Sequence, residues 1–133
     1  MDQEPLATGG VHRTVLSFND AITRQDLTSL GQLMTDNHVF IDSDNNVFSG
    51  RKPVLDAWSG FFDAFPDYRN VWTSLISADD LLIAIGRSVC ASEPGLDGPA
   101  IWTAKTRRGR VAEWRVYEDT PENRARLGLG PAG

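Results

Sequence analysis

The chain has 133 residues, 41% of them hydrophobic, and a formal net charge of −5. That length suits one domain with a sizeable core, and the acidic balance argues against a nucleic-acid partner. A single cysteine, Cys90, excludes an intrachain disulfide and every multi-cysteine metal or redox motif, and no apolar run approaches the length of a membrane span.

Residues 1–10 end in Thr8-Gly9-Gly10 without a period and are expected as a flexible tail. The folded domain is expected over 11–128, with 129–133 as a second tail. Met1-Asp2-Gln3-Glu4 is acidic, unlike a signal peptide, so the expected location is cytoplasmic. Val11, Val15, Phe18 and Ile22 follow the 3, 4 spacing of a helix over 11–24. Asp26 is placed to cap a second helix whose buried stripe is Leu27, Leu30, Leu33 and Met34. Thr35-Asp36-Asn37 reads as a break, and a strand is expected over 38–42.

A polar turn carrying Asp42 and Asp44 follows. A third helix is expected over 51–65, with Pro53 in its first turn and Leu55, Trp58, Phe61, Phe62 and Phe65 as its apolar surface. Strands are expected over 70–76, 81–90, 100–106 and 111–118. Turns fall at 77–80 and Arg107-Arg108-Gly109, and a loop at 93–99. The cationic run Lys105 to Arg110 straddles that second turn and reads as a solvated hairpin tip. Helices gathered on one side of a largely antiparallel sheet make an α+β domain, and a curved sheet closed by helices encloses a tapered volume suited to a small molecule.

Dinucleotide, P-loop, zinc-protease and nucleophile-elbow motifs are all absent, and two histidines cannot form a three-histidine metal site. No metal and no cofactor are expected. Carboxylates at strand ends remain. Alternation puts His38, Phe40 and Asp42 on one face, so Asp42 ends an otherwise apolar row and could act as a base, or else only bond to its own turn. It also splits Trp114, Val116 and Glu118 from Arg115, Tyr117 and Asp119, so whichever face is inward brings one acid with it. Two such acids facing each other across a pocket would be poised as acid and base.

The helix over 18–25 ending before Asp26, Phe40-Ile41-Asp42, Phe48-Ser49-Gly50-Arg51, Ala64-Phe65-Pro66-Asp67-Tyr68 and Gly109 to Asp119 form a recognisable series. In these motifs the chain resembles the SnoaL-like group of the nuclear-transport-factor-2-like superfamily, relatives of the polyketide cyclases and ketosteroid isomerases. The resemblance implies a cone-shaped, curved, mostly antiparallel sheet closed by three N-terminal helices. It implies Asp42 as general base, with Glu118 or Asp119 near the catalytic aspartate of the cyclases. Phe18 falls where the isomerases have an oxyanion-hole tyrosine, and Ile101-Trp102 where they have a protonated aspartic acid, so steroid isomerisation by the usual route is not expected. Trp58, Trp114 and Val116 would border the pocket beside His38, Phe40 and Trp102. Val89-Cys90-Ala91-Ser92 replaces the Gly-Thr-His segment usual in the group.

The expected function is therefore a cofactor-independent enzyme using carboxylate acid/base chemistry, of isomerase, cyclase or dehydratase type. Its substrate would be hydrophobic and oxygenated, polyketide- or steroid-like. The alternative is a non-catalytic small-molecule-binding or structural protein of the same fold. A homodimer is expected through an outer sheet face carrying Trp72 or Trp102, with no nucleic-acid or membrane partner.

Overall fold

Apolar residues three and four apart become the inner face of helix α1 (Leu6–Arg24), where Val15, Phe18, Ala21 and Ile22 are buried. The computed structural model describes residues 6–78 and 81–131. The helix thus starts five residues before the expected Val11, inside the stretch read as a tail; residues 1–5, 79–80 and 132–133 lie outside the described part. Gln25, at φ +57°, turns the chain, and Asp26 caps helix α2 (Leu27–Gln32) by accepting from the Ser29 backbone and hydroxyl.

Strand β1 (Met34–Ile41) begins four residues earlier than expected, and Met34 belongs to it rather than to the second helix. The cause is tertiary: Val111 N–H donates to Leu33 O at 2.6 Å and Met34 pairs with Val111, so sheet pairing overrides the polar look of Thr35-Asp36-Asn37. A turn over 42–46 leads into the short β2 (Val47–Ser49), which pairs antiparallel with β1. Helix α3 (Arg51–Ala64) buries Val54, Trp58 and Phe62.

Strands β3 (Arg69–Ala78), β4 (Leu81–Val89), β5 (Gly98–Arg107) and β6 (Arg110–Glu118) form the expected meander, and helix α4 (Pro121–Arg126) follows. The six strands lie in the order β2-β1-β6-β5-β4-β3. Only the β1–β6 pair is parallel. This is a mixed α+β fold with an open, mainly antiparallel sheet, and its core lies between the sheet and the three N-terminal helices.

Register decides which way the tryptophans face. A bulge between Trp72 and Ser74 bends β3, and the Trp72 ring packs 5.9 Å from both Trp102 and Trp114. Both Trp72 and Trp102 therefore face inward, and neither is on the outer sheet face where one of them was expected. The bend brings Trp72 onto Gly86 so closely that a Cβ there would lie 2.0 Å from the Val71 carbonyl oxygen. No helix is long and apolar enough to cross a membrane among the described residues.

Candidate functional site

Successive rows across the sheet run from aromatic to polar. Phe48, Phe40, Trp114 and Ala104 form one row; Val116, Trp102 and Ala84 the next; then Glu118, Ala100 and Gly86, and last Gly98, Ser88 and Asn70. Helix α3 covers the aromatic rows: the Trp58 ring lies 5.3 Å from Phe40 and 5.8 Å from Phe61. Between helix and sheet remains a cavity of about 680 Å³, walled by Phe40, Trp58, Phe61, Trp102, Trp114 and Val116. The exposed lining residues Ser43, Gly95, Pro99 and Glu118 mark its open end. Its size and its apolar wall with a few polar groups fit a small organic ligand.

Of the expected lining residues, Phe40, Trp58, Trp102, Trp114 and Val116 stand in the wall. Phe18 and His38 do not. The Phe18 ring packs 4.5 Å from Trp114 and 5.7 Å from His38, so the two rings form a layer behind Trp114. His38 is fully buried, its Nδ1–H donates to Val111 O at 2.7 Å, and its Nε2 has no partner. Burial pushes the imidazole down from its ordinary range, against the pull of the Val111 bond, and so keeps it neutral.

The three acids part ways. Asp42 lines the cavity but spends both oxygens on its own turn: Oδ1 accepts from Asp44 N and Asn46 N at 2.9 Å each, and Oδ2 from Asn46 Nδ2 at 3.0 Å. Asp119 is gripped by Arg124, whose Nε and Nη2 donate to its two oxygens at 2.5 and 2.8 Å. The guanidinium holds the Asp119 carboxyl below its ordinary range, a partner and not a proton carrier. Glu118 faces the cavity from the row of Ala100, and its carboxylate has no ion-pair partner among the described residues.

The sequence reading missed the polar corner at Tyr68, Asn70 and Ser88, although the alternation Tyr68, Asn70, Trp72 carries it. Burial pushes the Tyr68 phenol up to about 12, so it stays an O–H donor in an apolar wall. Asn70 Nδ2 donates to Asn19 Oδ1 at 3.0 Å, and Ser88 Oγ donates to Leu96 O at 2.6 Å. Asp67, just before Tyr68, ties down the loop that closes this side: it accepts from Ser92 N, Ser92 Oγ and the Cys90 thiol. Those bonds, the serine hydroxyl's above all, lower the carboxyl to about 2. Cys90 N–H in turn donates to Asp97 Oδ1. Among the described residues no group of three or more His, Cys, Asp or Glu side chains comes together as a metal-ligand set.

The SnoaL-like domain model matches residues 15–114. Among solved structures, a protein from Jannaschia sp. CCS1 assigned to the SnoaL-like polyketide cyclases is similar over 98% of this chain and 99% of its own, at 20% identity and a TM-score of 0.74. An NTF2-like protein of unknown function from Cytophaga hutchinsonii matches over 89% and 94%, at 13% identity and 0.68. A cystatin-fold protein from Novosphingobium aromaticivorans matches over 82% and 97%, at 10% identity and 0.71. None of the curated proteins matches the chain.

Proposed function

The chain belongs to the SnoaL-like domain family, and from that premise we propose that its cavity holds a hydrophobic, oxygenated small molecule and moves a proton on it without a cofactor. The observation that carries this reading is the cavity itself: about 680 Å³, aromatic on most sides, with a neutral phenol and an unpaired carboxylate in one wall. Tyr68 would donate to a carbonyl oxygen of the ligand, stabilising charge that develops there as an adjacent C–H is lost. Glu118 would take that proton and return it at the neighbouring carbon or leaving oxygen. Asp42, expected as the base, is better suited to shaping the rim, because its oxygens are committed to Asp44 and Asn46.

Deuterium exchange into the acidic C–H of a ring ketone such as tetralone, followed by proton NMR, tests this. The wild type should accelerate exchange, and Glu118→Gln should lose roughly 10²–10⁴-fold of that acceleration. Saturable binding of the ketone with no acceleration would leave the non-catalytic binding reading, which the exposure of Glu118 favours.

A homodimer through the outer sheet face belongs to the same proposal. Val71 and Ile76 on β3 are 40% and 44% exposed, and Ile76 pairs with Ile83. Sedimentation at tens of micromolar should give twice the chain mass; a monomer would refute the dimer.

A further inference from the structure

The cavity wall carries charge of one sign only. Asp42, Asp97, Glu118 and Asp119 line it, and among the described residues no lysine, arginine or histidine does. Arg124 compensates Asp119 from outside the wall. Arg115 is committed elsewhere, to Asn45 Oδ1 at 2.9 Å and over the Tyr117 ring. The N–H groups that Asp42 and Asp97 accept orient those carboxylates without cancelling their charge. Three carboxylates are thus left without a countercharge around one cavity.

Two further features have the same polarity. Phe40, Trp58, Phe61, Tyr68, Trp102 and Trp114 supply ring faces, whose quadrupoles attract a cation. Asn70, only 7% exposed, has an Oδ1 with no partner. Its orientation is fixed by Asn19: Asn19 Nδ2 donates to the Asn70 carbonyl, so Asn19 Oδ1 is what receives Asn70 Nδ2. The group left over in the wall is therefore an acceptor. The donors present, the Tyr68 phenol and the indole N–H groups, are neutral and suit an oxygen on the ligand body.

We infer that the ligand of this cavity is a monocation: a ring-sized apolar body with a protonated or quaternary nitrogen seated between the aromatic rings and the carboxylates of Glu118 and Asp42. The inference rests on the cavity being the ligand site and narrows the class of molecule it takes. Carboxylate-bearing molecules of the same shape are excluded. Each uncompensated carboxylate within several ångströms alters affinity for a unit charge by about tenfold, and an exposed rim makes that effect sensitive to salt.

Three probes of one shape test it by isothermal titration at neutral pH and low salt: naphthylmethyl-trimethylammonium, naphthylmethanol and naphthoate. The cation should bind about tenfold tighter than the alcohol, and naphthoate at least about tenfold weaker. The cation-to-alcohol ratio should shrink with added salt, and Glu118→Gln should lower it by about tenfold. Glu118 is exposed at the end of β6, so this variant keeps the fold. Naphthoate binding as tightly as the alcohol, or a cation no better than the alcohol, overturns the inference and leaves the cavity standing as a ligand site. Failure of all three probes to bind overturns both.

Discussion

Arg124 closes on Asp119 with two hydrogen bonds, 2.5 and 2.8 Å long, and the two side chains are only 13% and 9% exposed. Arg124 also donates to Gly130 O, so one guanidinium ties the end of β6 to helix α4 and the residues after it. Arg124→Ala should therefore speed amide exchange across 121–127 while leaving β4 and β5 protected. Arg124→Lys should restore little, because an ammonium cannot make the paired contact. Asp119 titrates below its ordinary range in the fold, so the pair contributes stability above that range, and the contribution is lost as pH falls through it. Unaltered exchange in Arg124→Ala would refute this.

Asp42 separates two chemical roles that look identical in sequence. Asp42→Asn keeps an oxygen for Asp44 N and Asn46 N and gives up the bond to Asn46 Nδ2, so stability should change by less than about 0.5 kcal/mol. Asp42→Ala removes all three bonds and should cost about 1 kcal/mol, with the β1–β2 hairpin fraying first. Denaturant midpoints of the two variants check this. A large loss in Asp42→Asn would show that the charge matters beyond the turn.

The helical faces were legible because burial follows period: Val15, Phe18 and Ile22 on α1, and Trp58 and Phe62 on α3, are buried as their spacing requires. The strand meander was legible for the same reason. The start of β1 was not, since its polar residues are held by a strand more than seventy positions away. Trp72 was misplaced because one bulge inverts the facing of everything beyond it. The Asp67 clasp was hidden by the 25 residues separating Asp67 from Ser92, and Asp119 by a partner in the next helix. Asp42 and Glu118 were found as residues that line the cavity; their hydrogen bonding was not written in the strand pattern.

His38 sets a pH dependence of stability. Burial lowers its pKa in the fold, so between the folded and unfolded values the unfolded chain binds the extra proton. Stability is then fully present above about pH 6.5 and falls as the pH drops below it. A second loss should follow in more acid solution, where Asp26 and Asp67, each lowered to about 2, contribute stability that disappears as they protonate. His38→Gln keeps an N–H for Val111 O and removes the titration, so the first phase should vanish and the second remain. Urea midpoints measured across that range decide it; an unchanged first phase in His38→Gln would assign it to another group.

Gly86 is fixed by the bend of β3. A methyl group there would meet the Val71 carbonyl oxygen and the Trp72 backbone, neither of which can swing away as a side-chain end could. Gly86→Ala should destabilise by about 3 kcal/mol or more. It should also push Trp72 off Trp102 and Trp114, visible as a change in near-ultraviolet circular dichroism. Gly60, with open space around it, is the control, and its alanine variant should be stable.

Tyr68→Phe asks whether the phenol acts on a ligand or only fills space. The ring packs edge-on against Phe61 at 4.8 Å, a contact that phenylalanine preserves, so folding should be little affected at neutral pH. If the O–H donates to a ligand carbonyl, ketone-dependent deuterium exchange should fall by roughly 10²-fold, the usual worth of one donor to a developing oxyanion. The phenol is pushed up to about 12, so the unfolded chain loses this proton first as pH rises past about 10. Stability should therefore decline between about 10 and 12, and Tyr68→Phe should remove that decline. The exchange rate should show no alkaline limb from this group below that range. Wild-type exchange in the phenylalanine variant would take Tyr68 out of the chemistry and leave it as part of the wall.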